Sequence, residues 1–84
     1  MRIVKYRLHE GLNTLEHFGT LQLKYLDYQD HKLHGWFLAT HNTTPDNYQV
    51  YVALTGETVS DEYRYITSTQ TTLSGGSYVV HAFD

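Results

Sequence analysis

Alternation is the feature that most constrains this chain. "RIVKYRL" places Val4, Tyr6 and Leu8 on one side and Lys5 and Arg7 on the other. A period of two is the mark of a strand with one face buried. "LQLKYLDYQ" begins with Leu21, Leu23 and Tyr25 in phase and continues with Leu26 and Tyr28 in the opposite phase. One extra residue in a strand flips every later side chain, so this phase jump predicts a β-bulge. "QDHK" then reads as a turn and "LHGWFLAT" as the returning strand. That strand is apolar on both faces, which places it centrally in its sheet. Gly35 within it marks a bulge or a close backbone approach.

The remainder follows the same grammar. "HNTTPDN" reads as a loop, with Pro45 at the second position of a type I turn. "YQVYVALTG", "YRYITSTQ" and "SYVVHAF" read as strands, and "TTLSGG" as a hairpin connection between the last two. "ETVSDE" is irregular and has room for a single helical turn at most. No segment carries helical spacing over three turns. "NTLEHF" comes nearest and is too short to stand alone. The expectation is one mainly β domain over residues 1–84, a single sheet or a sandwich of about six mostly antiparallel strands, with little or no helix.

Composition narrows the function classes. A chain of 84 residues builds a modest core, and eight tyrosines supply much of its bulk. Tyrosine favours half-wet surfaces, so a small Tyr-rich chain with only 18% charged residues is expected to form a homo-oligomer. There is no cysteine, hence no disulfide and no thiolate zinc site. No run approaches the roughly 20 apolar residues of a membrane span. "MRIVKYRLHE" lacks the apolar block of a signal peptide. Net charge is −3, and the three Arg and three Lys are scattered along the chain, so polymeric nucleic acid is not an expected partner.

Each candidate site also has a plainer role. His31, His34 and His41 lie close in sequence. In extended chain, residues three apart face opposite sides, so no metal site is expected. No nucleophile elbow occurs, and Asp61 and Glu62 point apart, so the chain is not expected to be an enzyme and needs no cofactor. "LTGET" follows an apolar strand. Backbone N–H groups beside Gly56, with the Thr55 and Thr58 hydroxyls, have phosphate-cradling chemistry, although an ordinary strand-end turn accounts for the same residues. In "YRY", alternation puts Tyr63 and Tyr65 on one face and Arg64 on the other: rings for stacking, a guanidinium for a phosphate. Trp36 is the lone tryptophan, a core anchor or a base-stacking platform. His81 lies in a strand apolar on both faces, which predicts cover on both sides and a hydrogen-bonded, partly buried imidazole.

The same residues carry a resemblance. "KY" near the start, "WFL" at mid-chain, "LTGE", "YITSTQ" and the closing "YVVHAF" resemble a family of short uncharacterised bacteriophage proteins over nearly the whole chain. Tyr65, Ile66 and Gln70 fit the penultimate motif, with Thr67 where glycine is usual. Tyr78, Val79, His81 and Phe83 fit the last, with Val80 in place of tryptophan. The resemblance implies a phage origin and the host cytoplasm. The chain is also similar in size and class to phage sponge proteins of the Sequestin and Lockin type. That likeness implies an anti-defence role: sequestering an ADP-ribose-type or cyclic nucleotide immune signal at a subunit interface. Trp36, Thr55, Gly56, Tyr63, Arg64, Tyr65 and His81 are the residues expected to bind it. The alternative is a phage protein that inhibits a host protein through surface or edge-strand contacts.

Overall fold

The computed structural model describes residues 1–73 and 76–84. Seven strands follow one another: β1 (Arg2–Arg7), β2 (Gly11–Phe18), β3 (Leu21–Gln29), β4 (Lys32–Ala39), β5 (Pro45–Leu54), β6 (Tyr65–Leu73) and β7 (Gly76–Phe83). They form two antiparallel sheets, ordered β1-β4-β3 and β2-β5-β7-β6. The domain is mainly β, and no helix occurs among the described residues. The chain switches sheets after β1, β2 and β4, so three connections tie the two layers together.

The core lies between the layers. Leu21, Leu23, Leu26, Leu33, Phe37 and Ala39 of the three-stranded sheet meet Val50, Val52, Val80 and Ala82 of the four-stranded one. Each side is the apolar half of an alternating strand. β4 is central, as its two apolar faces predict. The phase jump in β3 is a register shift between Leu23 and Tyr25, with Lys24 as the extra residue. It returns Leu26 and Tyr28 to the core side after two exposed positions. Gly35 marks close approach and no bulge: a Cβ there would lie 2.9 Å from Leu23 Cδ1 and Phe37 Cε1.

Three sequence expectations are corrected. "NTLEHF" belongs to a seventh strand, β2, and has no helical character. Its inward positions include Asn13 and His17, both buried, whereas Leu12 and Phe18 face out more than half exposed. The pattern is inverted, so alternation of hydrophobicity conceals the strand. The inward polar groups are satisfied. Asn13 accepts from His9 N at 2.8 Å and donates to the His9, Gly11 and Val50 carbonyls. His17 bonds the Tyr6 hydroxyl at 3.1 Å and the Thr40 carbonyl at 3.2 Å. Second, Pro45 opens β5 opposite Phe18 and is not a turn residue; the loop is residues 40–44. At the first position of a strand, a missing N–H costs no interior ladder bond. Third, the cover over β7 is uneven. Val80 and Ala82 are fully buried inward, while Val79 and Tyr78 are exposed. Ser74 and Gly75 of the expected hairpin connection lie outside the described residues.

Candidate functional site

The basic residues are scattered in sequence but sorted in space. Arg2, Lys5, Arg7, Lys24 and Lys32, five of the six, stand on β1, β3 and β4, opposed in that layer by Asp27 and Asp30 alone: a net charge of +3. The four-stranded layer and the loops entering it hold Glu10, Glu16, Asp46, Glu57, Asp61, Glu62 and Asp84 against Arg64, a net of −6. The overall −3 is therefore the difference between a cationic layer and an anionic one.

The outer face of the cationic layer carries Trp36. Strand register aligns Lys5, Trp36 and Tyr25 in one row, flanked by the row Arg7, His34 and Asp27. Trp36 lies 5.6 Å from the Tyr25 ring and 6.2 Å from the His34 ring. Lys5 Nζ passes 6.0 Å from the indole centroid and donates to Gln29 Oε1. The Tyr25 hydroxyl donates to Asp27 Oδ2 at 3.2 Å. The Asp27 charge and that hydrogen bond hold the phenol above its ordinary pKa, so Tyr25 stays a neutral donor. The result is a half-exposed aromatic row ending in an ammonium.

The outer face of the four-stranded sheet gathers most of the other sequence candidates. Thr55, Gly56, Tyr65 and His81 line one depression of about 260 Å³, together with Glu57, Val59 and Phe83. His81 is tied at both nitrogens, to Thr55 Oγ1 at 2.8 Å and to the Tyr65 hydroxyl at 3.0 Å. It is half-buried and hydrogen-bonded as expected. The Tyr65 ring meets Phe83 at right angles, 5.3 Å between centroids. Tyr63 packs on Tyr51 at 5.3 Å beside the same sheet. Four of the seven expected binding residues therefore converge here, and Tyr63 and Arg64 adjoin them in sequence.

This depression disfavours an anion. Three backbone donors of the "LTGET" turn are engaged internally: Leu54 N to Glu57 Oε1 at 2.9 Å, Thr55 N to the Val79 carbonyl, and Glu57 N to the Leu54 carbonyl. The Glu57 carboxylate lines the depression and repels a phosphate. Arg64 forks onto Asp84, Nε to Oδ1 at 3.2 Å and Nη2 to Oδ2 at 3.4 Å, so its guanidinium is engaged. Trp36 belongs to the other sheet. The expected set thus divides between two faces. Sequence reasoning passed over Tyr25 and Lys5 as neighbours of Trp36 and weighed His34 only as a metal ligand; the one available signal was the bulge, which turns Tyr25 outward beside Trp36.

Asp84 links the terminus of β7 to the rest. Besides Arg64 it accepts from the Tyr48 hydroxyl, and its backbone exchanges both hydrogen bonds with Arg64. Burial first, then the bond to Asp84 and its charge, hold the Tyr48 phenol far above its ordinary pKa. Among the described residues no group of three or more His, Asp or Glu is placed to hold a metal ion. His31 sits in the β3–β4 turn, His34 Nδ1 bonds the Lys32 carbonyl, and His41 packs on His17.

A family model describing a domain of unknown function, DUF7352, matches residues 1–84. The chain belongs to that family. No curated protein and no solved structure matches it.

Proposed function

We propose that this chain is a non-enzymatic binder of a small nucleotide-type anion and that its contact surface is the outer face of β1-β4-β3. The observation that supports this most is the row Lys5–Trp36–Tyr25 on the layer with net charge +3. An indole and a phenol accept a flat base, at about 1–3 kcal/mol per stacked base. Lys5, Arg7 and Lys24 face the phosphates. A single aromatic row matches one or two bases, which favours a mononucleotide or dinucleotide over a polymer. Within the setting that the phage resemblance implies, such capture withdraws an immune signal from its effector, and turnover is not required.

An open sheet face does not enclose a ligand. A second copy laid over it does, and two cationic faces repel unless an anion lies between them. The reading therefore couples capture to dimerisation. Isothermal titration with ADP-ribose derivatives and cyclic dinucleotides tests it. Saturable heat is expected with at least one, with Trp36→Ala weakening it roughly 5- to 150-fold from the lost stacking. No heat with any of them overturns the reading.

A second reading has its own observation. β6 is a nine-residue edge strand whose run "ITSTQTT" has no charge and no proline. Such an edge is open to a strand from another chain. If a host protein pairs there, Thr69→Pro abolishes its recovery from host lysate at fixed stoichiometry, while Trp36→Ala does not.

A further inference from the structure

We propose that the outer edge of β6 is a self-association seam: residues 68–72 pair antiparallel with the same run of a second copy, joining the two four-stranded sheets edge to edge. The first support is an arm that the rest of the fold does not back. β5 pairs with β7 over residues 80–83 and adds one bond, from Thr55 N to the Val79 carbonyl. Beyond that point residues 76–78 pair with β6 alone, opposite residues 71–73. The core stops there too. Val80 and Ala82 are fully buried on the inward face, whereas Tyr78, next on that face, is 45% exposed. Val79 is exposed on the other face. A two-stranded ribbon wet on both faces is marginal in water and gains from a third strand. β6 offers the place for one. It stands at the edge of its sheet, and Ser68, Gln70 and Thr72 are exposed. Among the described residues, β3 passes beside β6 without pairing to it.

The second support is charge, and it names the occupant. Residues 65–83 contain no Asp, Glu, Lys or Arg. The other edge strands all carry charge: β1 has Arg2, Lys5 and Arg7, β2 has Glu16, and β3 has Lys24, Asp27 and a bulge. Two copies of a chain with net charge −3 can therefore meet along β6 with no like charges opposed in the pairing. A partner strand selected by charge finds nothing ionised to read on this edge. A strand pairs antiparallel with its own copy about a twofold axis, so the contact is self-complementary and closes at two chains.

Sedimentation equilibrium of the full chain, without nucleotide, tests this. A dimer that persists from low to high salt is expected, since the seam holds no ion pair. Gln70→Lys and Gln70→Glu each set like charges opposite or diagonal across the twofold. Each is expected to weaken the dimer by about 5-fold or more, with an unchanged far-ultraviolet circular dichroism spectrum, and an equimolar mixture of the two is expected to restore it. Trp36→Ala is expected to leave the dimer intact, so this inference and the nucleotide reading fail separately. A monomer at every concentration overturns the proposal and leaves the edge to a host strand. A dimer that dissolves in salt, or one indifferent to both Gln70 variants, overturns it by placing the contact elsewhere.

Discussion

Asp84 shows how much one side chain can hold together. It takes hydrogen bonds from Tyr48 on β5 and Arg64 ahead of β6, from residues 36 and 20 positions away in the chain. Removing the Tyr48 hydroxyl leaves a mostly buried carboxylate short of a donor. Tyr48→Phe is expected to cost about 2 kcal/mol at neutral pH, read from urea unfolding. The pH dependence has a definite sign. The unfolded chain releases this phenol proton near its ordinary value of 10.0, and the folded chain holds it further. The contribution is complete below pH 10 and declines as pH rises past it. Tyr48→Phe is expected to flatten part of that alkaline decline. Gly19 offers a steeper test. Its φ is 128°, and a Cβ would lie 1.9 Å from the Thr40 carbonyl oxygen. Gly19→Ala is expected to destabilise by more than about 2 kcal/mol, measured the same way.

Among the elements, the β3–β4 hairpin and β2 mark the limits of what a sequence discloses. Asp30 and His31 both adopt positive φ, 53° and 64°, in the two-residue turn between Gln29 and Lys32. Such turns favour glycine at the second position. His31→Gly is expected to stabilise by about 1 kcal/mol, raising Tm by roughly 4–8 °C. The turn was legible because its residues are polar and its flanks alternate. A bulge in β3 was legible because the apolar phase reverses within the strand, but its place was not: the pattern sets Tyr25 in phase with Leu21 and Leu23, whereas Lys24 is the extra residue and Tyr25 faces out, more than half exposed. β2 was not, because Asn13 and His17 occupy its inward positions and serve backbone groups of the β1–β2 loop and Thr40. Alternation records which side is apolar, and in β2 the buried side is half polar. Pro45 misled for a related reason: a turn-forming residue equally suits the start of a strand.

For the whole molecule, whose extents are 45 × 31 × 15 Å, the deciding property is the division of charge between its two layers. Composition reports −3, and neither its sign nor its size hints at a cationic face. Which residues share a face depends on strand order, and local sequence does not encode strand order. The chemistry of "YRY" and "LTGET" was readable; that Asp84 engages Arg64 and that Glu57 guards the turn was not. Trp36 was readable as an anchor or a platform; that its neighbours come from β1 and β3 was not. The division also sets salt dependence: Lys5→Ala and Lys24→Ala are each expected to reduce the slope of log affinity against log salt by about one phosphate contact. Trp36 is the only tryptophan, so its fluorescence reports the cationic face alone. The most direct measurement is that fluorescence during titration with an ADP-ribose derivative or a cyclic dinucleotide, at low and at high salt. A saturable change that weakens as salt rises is the predicted result; an indole emission indifferent to every such nucleotide at low salt would contradict it.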